Sequence, residues 1–110
     1  MRDDKTRLQD ILDAIEVIDN YLLDRKIYEL NEVEFAGILR YLEVIGEASH
    51  SVSQTLKDKY SQLPWRIIKD LRNVLAHQYF NVDVKIIENT INTELPLLKS
   101  NVIKMLGEFN

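Results

Sequence analysis

Apolar residues recur every three or four positions along almost the whole chain, the spacing of helices that bury one face. Leu8, Ile11, Leu12, Ile15, Ile18 and Leu22 form one such stripe, while Lys5, Arg7, Asp10, Asp13 and Glu16 lie mostly off it. This predicts a first helix over Asp4–Leu23. A second helix is predicted to open at Asn31. Asn31 and Glu34 have the spacing of a capping box, in which each side chain satisfies a backbone N–H of the first turn. Its stripe runs through Phe35, Ile38, Leu39, Leu42, Ile45, Ser49, Val52 and Leu56 and predicts a long helix reaching Tyr60. Gly46, Ala48, Ser49 and Ser53 are small, which predicts a close helix crossing there. A third helix is predicted to open at Leu63-Pro64, since proline in the first turn loses only an N–H that has no helical partner. It should run to about Tyr79 and bury Trp65, Ile68, Leu71, Val74 and Leu75. Asn81-Val82-Asp83 reads as a short connection ending in a cap. Val84, Ile87, Ile91, Leu95, Leu98, Val102, Met105 and Phe109 carry the last helix. Pro96 interrupts its hydrogen bonding and predicts a kink or break near Thr93–Leu95.

These elements define an all-α fold, an antiparallel bundle of four helices, or of five if the last one divides. No repeat, linker or low-complexity stretch divides the chain, so residues 1–110 are expected to form a single helical domain. With 45% hydrophobic residues in 110, the composition is that of a folded core and excludes intrinsic disorder. Three glycines and two prolines are too few for a turn-rich β-sandwich, and the lack of cysteine removes disulfide scaffolds, zinc ribbons and thiol nucleophiles. Fourteen basic against eighteen acidic residues leave a net charge of −4. Such a chain does not hold nucleic acid by bulk charge, so any contact must use a local basic patch. No apolar run approaches the ~20 residues of a membrane span. The start, Met1-Arg2-Asp3-Asp4-Lys5, is charged and no signal-peptide core follows, so a cytoplasmic protein without membrane contact is expected. There is no carboxylate cluster, histidine pair or glycine-rich phosphate loop, so neither a metal site nor a cofactor is expected.

Helical packing does not account for Arg72-Asn73-Val74-Leu75-Ala76-His77-Gln78-Tyr79-Phe80. Arginine is a permanently charged fork suited to phosphate oxygens, and histidine exchanges protons near neutral pH. Together they suffice for phosphodiester chemistry without a metal: His77 moves protons on and off the attacking and leaving oxygens, and Arg72 stabilises charge building on the phosphoryl group. On a straight helix Arg72 and His77 lie about 140° apart and do not converge. Asn73 and His77 share a face, and Arg72 and Tyr79 nearly do. Either the helix loosens before His77, or the site sits where both faces are seen. A two-fold interface provides such a place, which predicts a composite site in a homodimer.

The Arg72–His77–Tyr79 spacing resembles the signature of the HEPN superfamily, and more narrowly of HepT-type toxins of bacterial and archaeal toxin–antitoxin pairs. Asn73, Pro64-Trp65-Arg66 and Ile45-Gly46-Glu47-Ala48 agree with that pattern, and the likeness extends over essentially the whole chain. The resemblance implies an α-helical bundle that dimerises and a metal-independent ribonuclease whose Arg72 and His77 act from a cleft between protomers. It further implies a type VII-like system. There, a minimal nucleotidyltransferase antitoxin inactivates the toxin by transferring AMP to Tyr79. Phosphate and bulk two residues from His77 would occupy the place of an RNA phosphate and offer Arg72 a competing anion.

Plainer readings stand beside these. His77 also suits the C-terminal end of a helix dipole. Arg72 also suits a surface ion pair with Asp70 or Glu47, and Asn73 a polar helix end. Tyr79 also suits a partly buried ring with a wet hydroxyl. Arg66 and Lys69 either extend a basic strip toward RNA or are solvated charges. Glu47 is read as a solvated residue, or as a partner of Arg40, Arg72 or a second chain. His50 is read as a surface residue, and Trp65 as core or interface packing with base stacking as the other option. Two functions follow: a ribonuclease toxin in which Asn73 orients His77, or a non-catalytic subunit of a nucleotidyltransferase complex that holds a nucleotide or partner at Arg72 and His77.

Overall fold

The computed structural model describes residues 3–65 and 83–109. Helix α1 spans Asp4–Tyr21, and Asp3 caps it by accepting the Thr6 N–H at 2.8 Å. It buries Leu8, Ile11, Ala14, Ile15 and Ile18; of the predicted stripe, Leu12 and Leu22 are only partly buried, and Ala14 is added. A 3-10 turn at Ile27–Glu29 tucks Ile27 into the core. Helix α2 spans Glu32–Ser51 and opens with the predicted capping box: Glu34 N–H donates to Asn31 Oδ1 at 2.8 Å, and Asn31 N–H to Glu34 Oε1 at 3.0 Å. Glu34 also accepts from the Tyr21 hydroxyl and pairs with Arg25 at 2.5 Å, so one carboxylate joins the end of α1 to the start of α2. The Arg25 guanidinium foremost, then the Asn31 N–H and the Tyr21 hydroxyl, hold that carboxyl down at about 2.

The second helix is shorter than its sequence pattern predicts. It ends at Ser51, Val52 is extended (φ −63°, ψ 142°), and α3 starts afresh over Gln54–Lys59. The apolar spacing crosses this break undisturbed, because Val52 and Leu56 are both buried. Polar side chains make the break. Ser53 accepts the Leu56 N–H and is itself held by Asp4, while Arg7 donates to the Ser51 carbonyl at 2.6 Å and Lys57 to the His50 carbonyl at 2.9 Å. A serine cap satisfies a helix start as well as a continued helix would, so the chain turns there at little cost.

Asp83 caps α4, Val84–Asn89, by accepting the Lys85 N–H at 2.9 Å, as the sequence predicts. A π turn over Thr90–Glu94 follows, then α5 over Leu95–Gly107. The irregularity foreseen near Thr93–Leu95 is this π turn. The Leu95 N–H reaches back five residues to the Thr90 carbonyl, and Pro96, without an N–H, falls in the first turn of α5. The backbone stays helical through the change of register, so the proline is absorbed without a break.

α1 lies against both α2 and α5. It runs antiparallel to α2, with Tyr21 and Glu34 joined at one end and Asp4 and Ser53 at the other. Leu8, Ile11, Ile18, Ile87, Leu98, Val102 and Met105 have no exposed surface and form the centre of the core. Each such burial contributes about 1.5–3 kcal/mol.

Candidate active site

Arg66, Lys69, Arg72, Asn73, His77 and Tyr79 lie outside the described residues, as does the predicted third helix beyond Trp65. The structure describes the elements on either side of the segment that carries them.

On the entry side, α3 gives way to a tight turn built on one carbonyl. The Tyr60 oxygen accepts the Leu63 N–H at 3.1 Å and the Trp65 indole N–H at 3.0 Å. Leu63 is buried, and Trp65 is half-buried against the edge of the core with the Lys57 ammonium 5.9 Å from its ring centre. Trp65 is therefore a packing residue, as the plainer reading expected. α5 grips the same turn. Asn101, buried in the core stripe, accepts from Gln62 at 3.3 Å and donates to the Leu97 carbonyl at 2.9 Å. Glu108 accepts from the Tyr60 hydroxyl at 2.8 Å and pairs with Lys59. Lys59 foremost, with Tyr60, holds the Glu108 carboxyl below the usual carboxylate range, and Glu108 in turn pushes both Lys59 and Tyr60 up.

On the exit side, Ile87 is buried while Val84 and Ile86 remain exposed. Burial pushes the Glu94 carboxyl in the π turn up. Glu94 Oε2 and Ser49 Oγ are buried and have no hydrogen-bond partner among the described residues. On α2, Gly46 and Ser49 are buried, and Glu47 and His50 are exposed. Glu47 rims a depression of about 300 Å³ with Arg7, Asp10, Arg40 and Ser51, and Arg40 pairs with Glu43 at 3.2 Å. A wider cleft of about 1020 Å³ opens between the α1–α2 connection and the start of α5. Its walls mix Asp19, Asp24 and Glu88 with Arg25, Lys26 and Lys99, so it does not concentrate the single sign of charge that draws phosphate. Among the described residues no group of three or more acidic or histidine side chains could hold a metal ion. No described helix is long and apolar enough to cross a membrane.

The described residues form an all-α core of α1, α2 and α5. The sequence matches the Ribonuclease HepT-like family over residues 11–105, and the chain belongs to that family. It is similar to a protein of Thermococcus cleftensis named "Probable ribonuclease HepT", 34% identical over 94% of this chain and 96% of that one. A provisionally named RNase of Methanocaldococcus jannaschii is 34% identical over 97% of this chain and 94% of its own. A longer protein of the same organism, whose name couples gamma-glutamylcyclotransferase with a provisional RNase, is 29% identical over 99% of this chain. The present chain spans 50% of that relative. No solved structure matches the chain.

Asn101, Gln62 and Glu108 were not singled out by sequence reasoning. Asn101 left a trace, as a polar residue one position from Val102 within the core spacing Leu98–Met105. Glu108 left none, because a carboxylate at a helix end reads as solvated.

Proposed function

We propose that this chain is a metal-independent endoribonuclease, the toxin of a type VII-like toxin–antitoxin pair, working from a composite site at a homodimer interface. The observation that carries the reading is the family match over residues 11–105, which contains the whole Arg72–Tyr79 motif. The relatives' names supply the substrate class, RNA.

In this reading the ribose 2′-oxygen attacks the adjacent phosphorus, and the 5′-oxygen of the next nucleotide leaves. His77 takes the 2′-OH proton and returns a proton to the leaving oxygen. Arg72 stabilises the charge that builds on the non-bridging oxygens, and Asn73 holds His77 in one orientation. Arg66 and Lys69 extend a local basic strip for the RNA backbone, which a chain of net charge −4 requires. The nucleophile and the proton carriers all come from RNA and protein, so no metal step is needed. A minimal nucleotidyltransferase partner silences the site: the Tyr79 oxygen attacks the α-phosphorus of ATP, pyrophosphate leaves, and the added AMP competes for Arg72.

The test uses protein purified without its partner, incubated with total RNA in EDTA beside His77→Ala and Tyr79→Phe. Wild type and Tyr79→Phe are expected to cut, and His77→Ala to be inert. The net negative charge favours one second reading, a docking subunit that binds a nucleotidyltransferase and leaves RNA intact. Stable complex formation without cleavage by any of the three proteins would establish it.

A further inference from the structure

The chain enters the motif segment through Trp65, and the turn before it is held from α5. Asn101 lies within that helix and Glu108, seven residues on, is its C-cap with the backbone still helical, so the two fall about two turns apart along one side. Asn101 holds Gln62, and Glu108 holds Tyr60 by its hydroxyl and Lys59 by its ammonium. The Tyr60 carbonyl is the point on which Trp65 docks, with the Leu63 N–H and the indole N–H occupying its two lone pairs.

Such contacts do little for stability. Exposed ion pairs contribute modestly, and the Lys59 side chain is 62% exposed. They are directional, however, and the Tyr60–Glu108 bond is charge-assisted. A buried asparagine that uses both its oxygen and its amide is likewise a device of geometry. The geometry points to a C-terminal clamp: Glu108 and Asn101 are positioning residues that fix the Tyr60–Trp65 turn, the point from which the chain leads on toward Arg72 and His77. The clamp's catalytic consequence rests on the ribonuclease reading of that segment.

Trp65 is the one tryptophan in the chain, so its emission reports on the clamp without reference to activity. The experiment compares the full-length wild type with Glu108→Ala, Glu108→Gln and Tyr60→Phe. It records Trp65 emission, acrylamide quenching, the thermal midpoint, and kcat and KM on one RNA oligonucleotide. In Glu108→Ala the emission should move to the red and kcat fall about tenfold, within the range that misplaced catalytic groups cost. KM should stay within about twofold, since uniform binding is untouched. Glu108→Gln, which keeps an acceptor for the Tyr60 hydroxyl, should restore both readouts. Tyr60→Phe, with the ion pair intact, should resemble Glu108→Ala. Unchanged Trp65 emission and quenching in Glu108→Ala would overturn the clamp, as would a kcat loss that Glu108→Gln fails to rescue. If Trp65 responds as expected but wild type cuts no RNA, the clamp stands and the ribonuclease reading falls.

Discussion

Asp4, in the first turn of α1, holds Ser53 at the start of α3: its two oxygens accept the Ser53 N–H at 2.9 Å and the hydroxyl at 2.6 Å. The pair joins residues 49 apart and closes the α1–α2 hairpin at the point where α2 would otherwise have continued. Ser53→Ala removes both the cap of α3 and half of the Asp4 contact. It should lower stability by about 1 kcal/mol, the usual cost of a lost serine cap, seen as a lower urea midpoint with an unchanged slope.

At the other end of the hairpin, Glu34 carries a pH signature. Its carboxyl sits at about 2 in the fold against an ordinary 4.5, with Arg25 the main cause. A depressed carboxyl binds fewer protons in the folded than in the unfolded chain. Its contribution is therefore complete above pH 4.5 and is lost as pH falls from there toward 2. Glu34→Gln should flatten the loss of stability over that window relative to wild type, with little change in slope at neutral pH. An unchanged acid limb in the thermal midpoint would contradict the assignment.

Adjacent positions on α5 should behave oppositely. Leu98 has no exposed surface, whereas Leu97 is 45% exposed. Leu98→Ala should cost about 2–5 kcal/mol through lost burial and the cavity left behind. Leu97→Ala should stay within about 0.5 kcal/mol. Paired denaturation curves would check both, and equal effects would place the wrong face of α5 against the core.

Much of this fold was legible in the sequence. The stripes of α1, α2 and α5, the Asn31–Glu34 box, the Asp83 cap and the irregularity before Pro96 all have local causes that sequence spacing exposes. The break after Ser51 was not legible. Its causes, Asp4 and Arg7, reach across from another helix, while the apolar period carries on through Val52 and Leu56. The clamp was hidden for the same reason, since Tyr60 and Glu108 meet only in three dimensions. The motif was the reverse case. Arg72, Asn73, His77 and Tyr79 were conspicuous as chemistry in an apolar stretch, but spacing alone does not decide whether they converge.

Assembly can be tested by mixing. Arg72→Ala and His77→Ala proteins should each be inactive. If each site draws its Arg72 from one protomer and its His77 from the other, mixing equal amounts through a dissociation step rebuilds one intact site in each mixed dimer. Random pairing then restores about a quarter of wild-type cleavage. No recovery, with exchange verified by mass, would place both groups in one protomer or require all four.

The central claim is RNA cleavage by the RNA's own 2′-hydroxyl, driven by His77 without a metal. The most direct measurement gives wild-type protein a short RNA and the same sequence with every 2′-hydroxyl methylated, both in EDTA. The account predicts cleavage of the first into fragments with 2′,3′-cyclic phosphate ends, no cleavage of the second, and loss of the first in His77→Ala. Cleavage of the methylated strand, or cleavage that appears only when magnesium is restored, would contradict it.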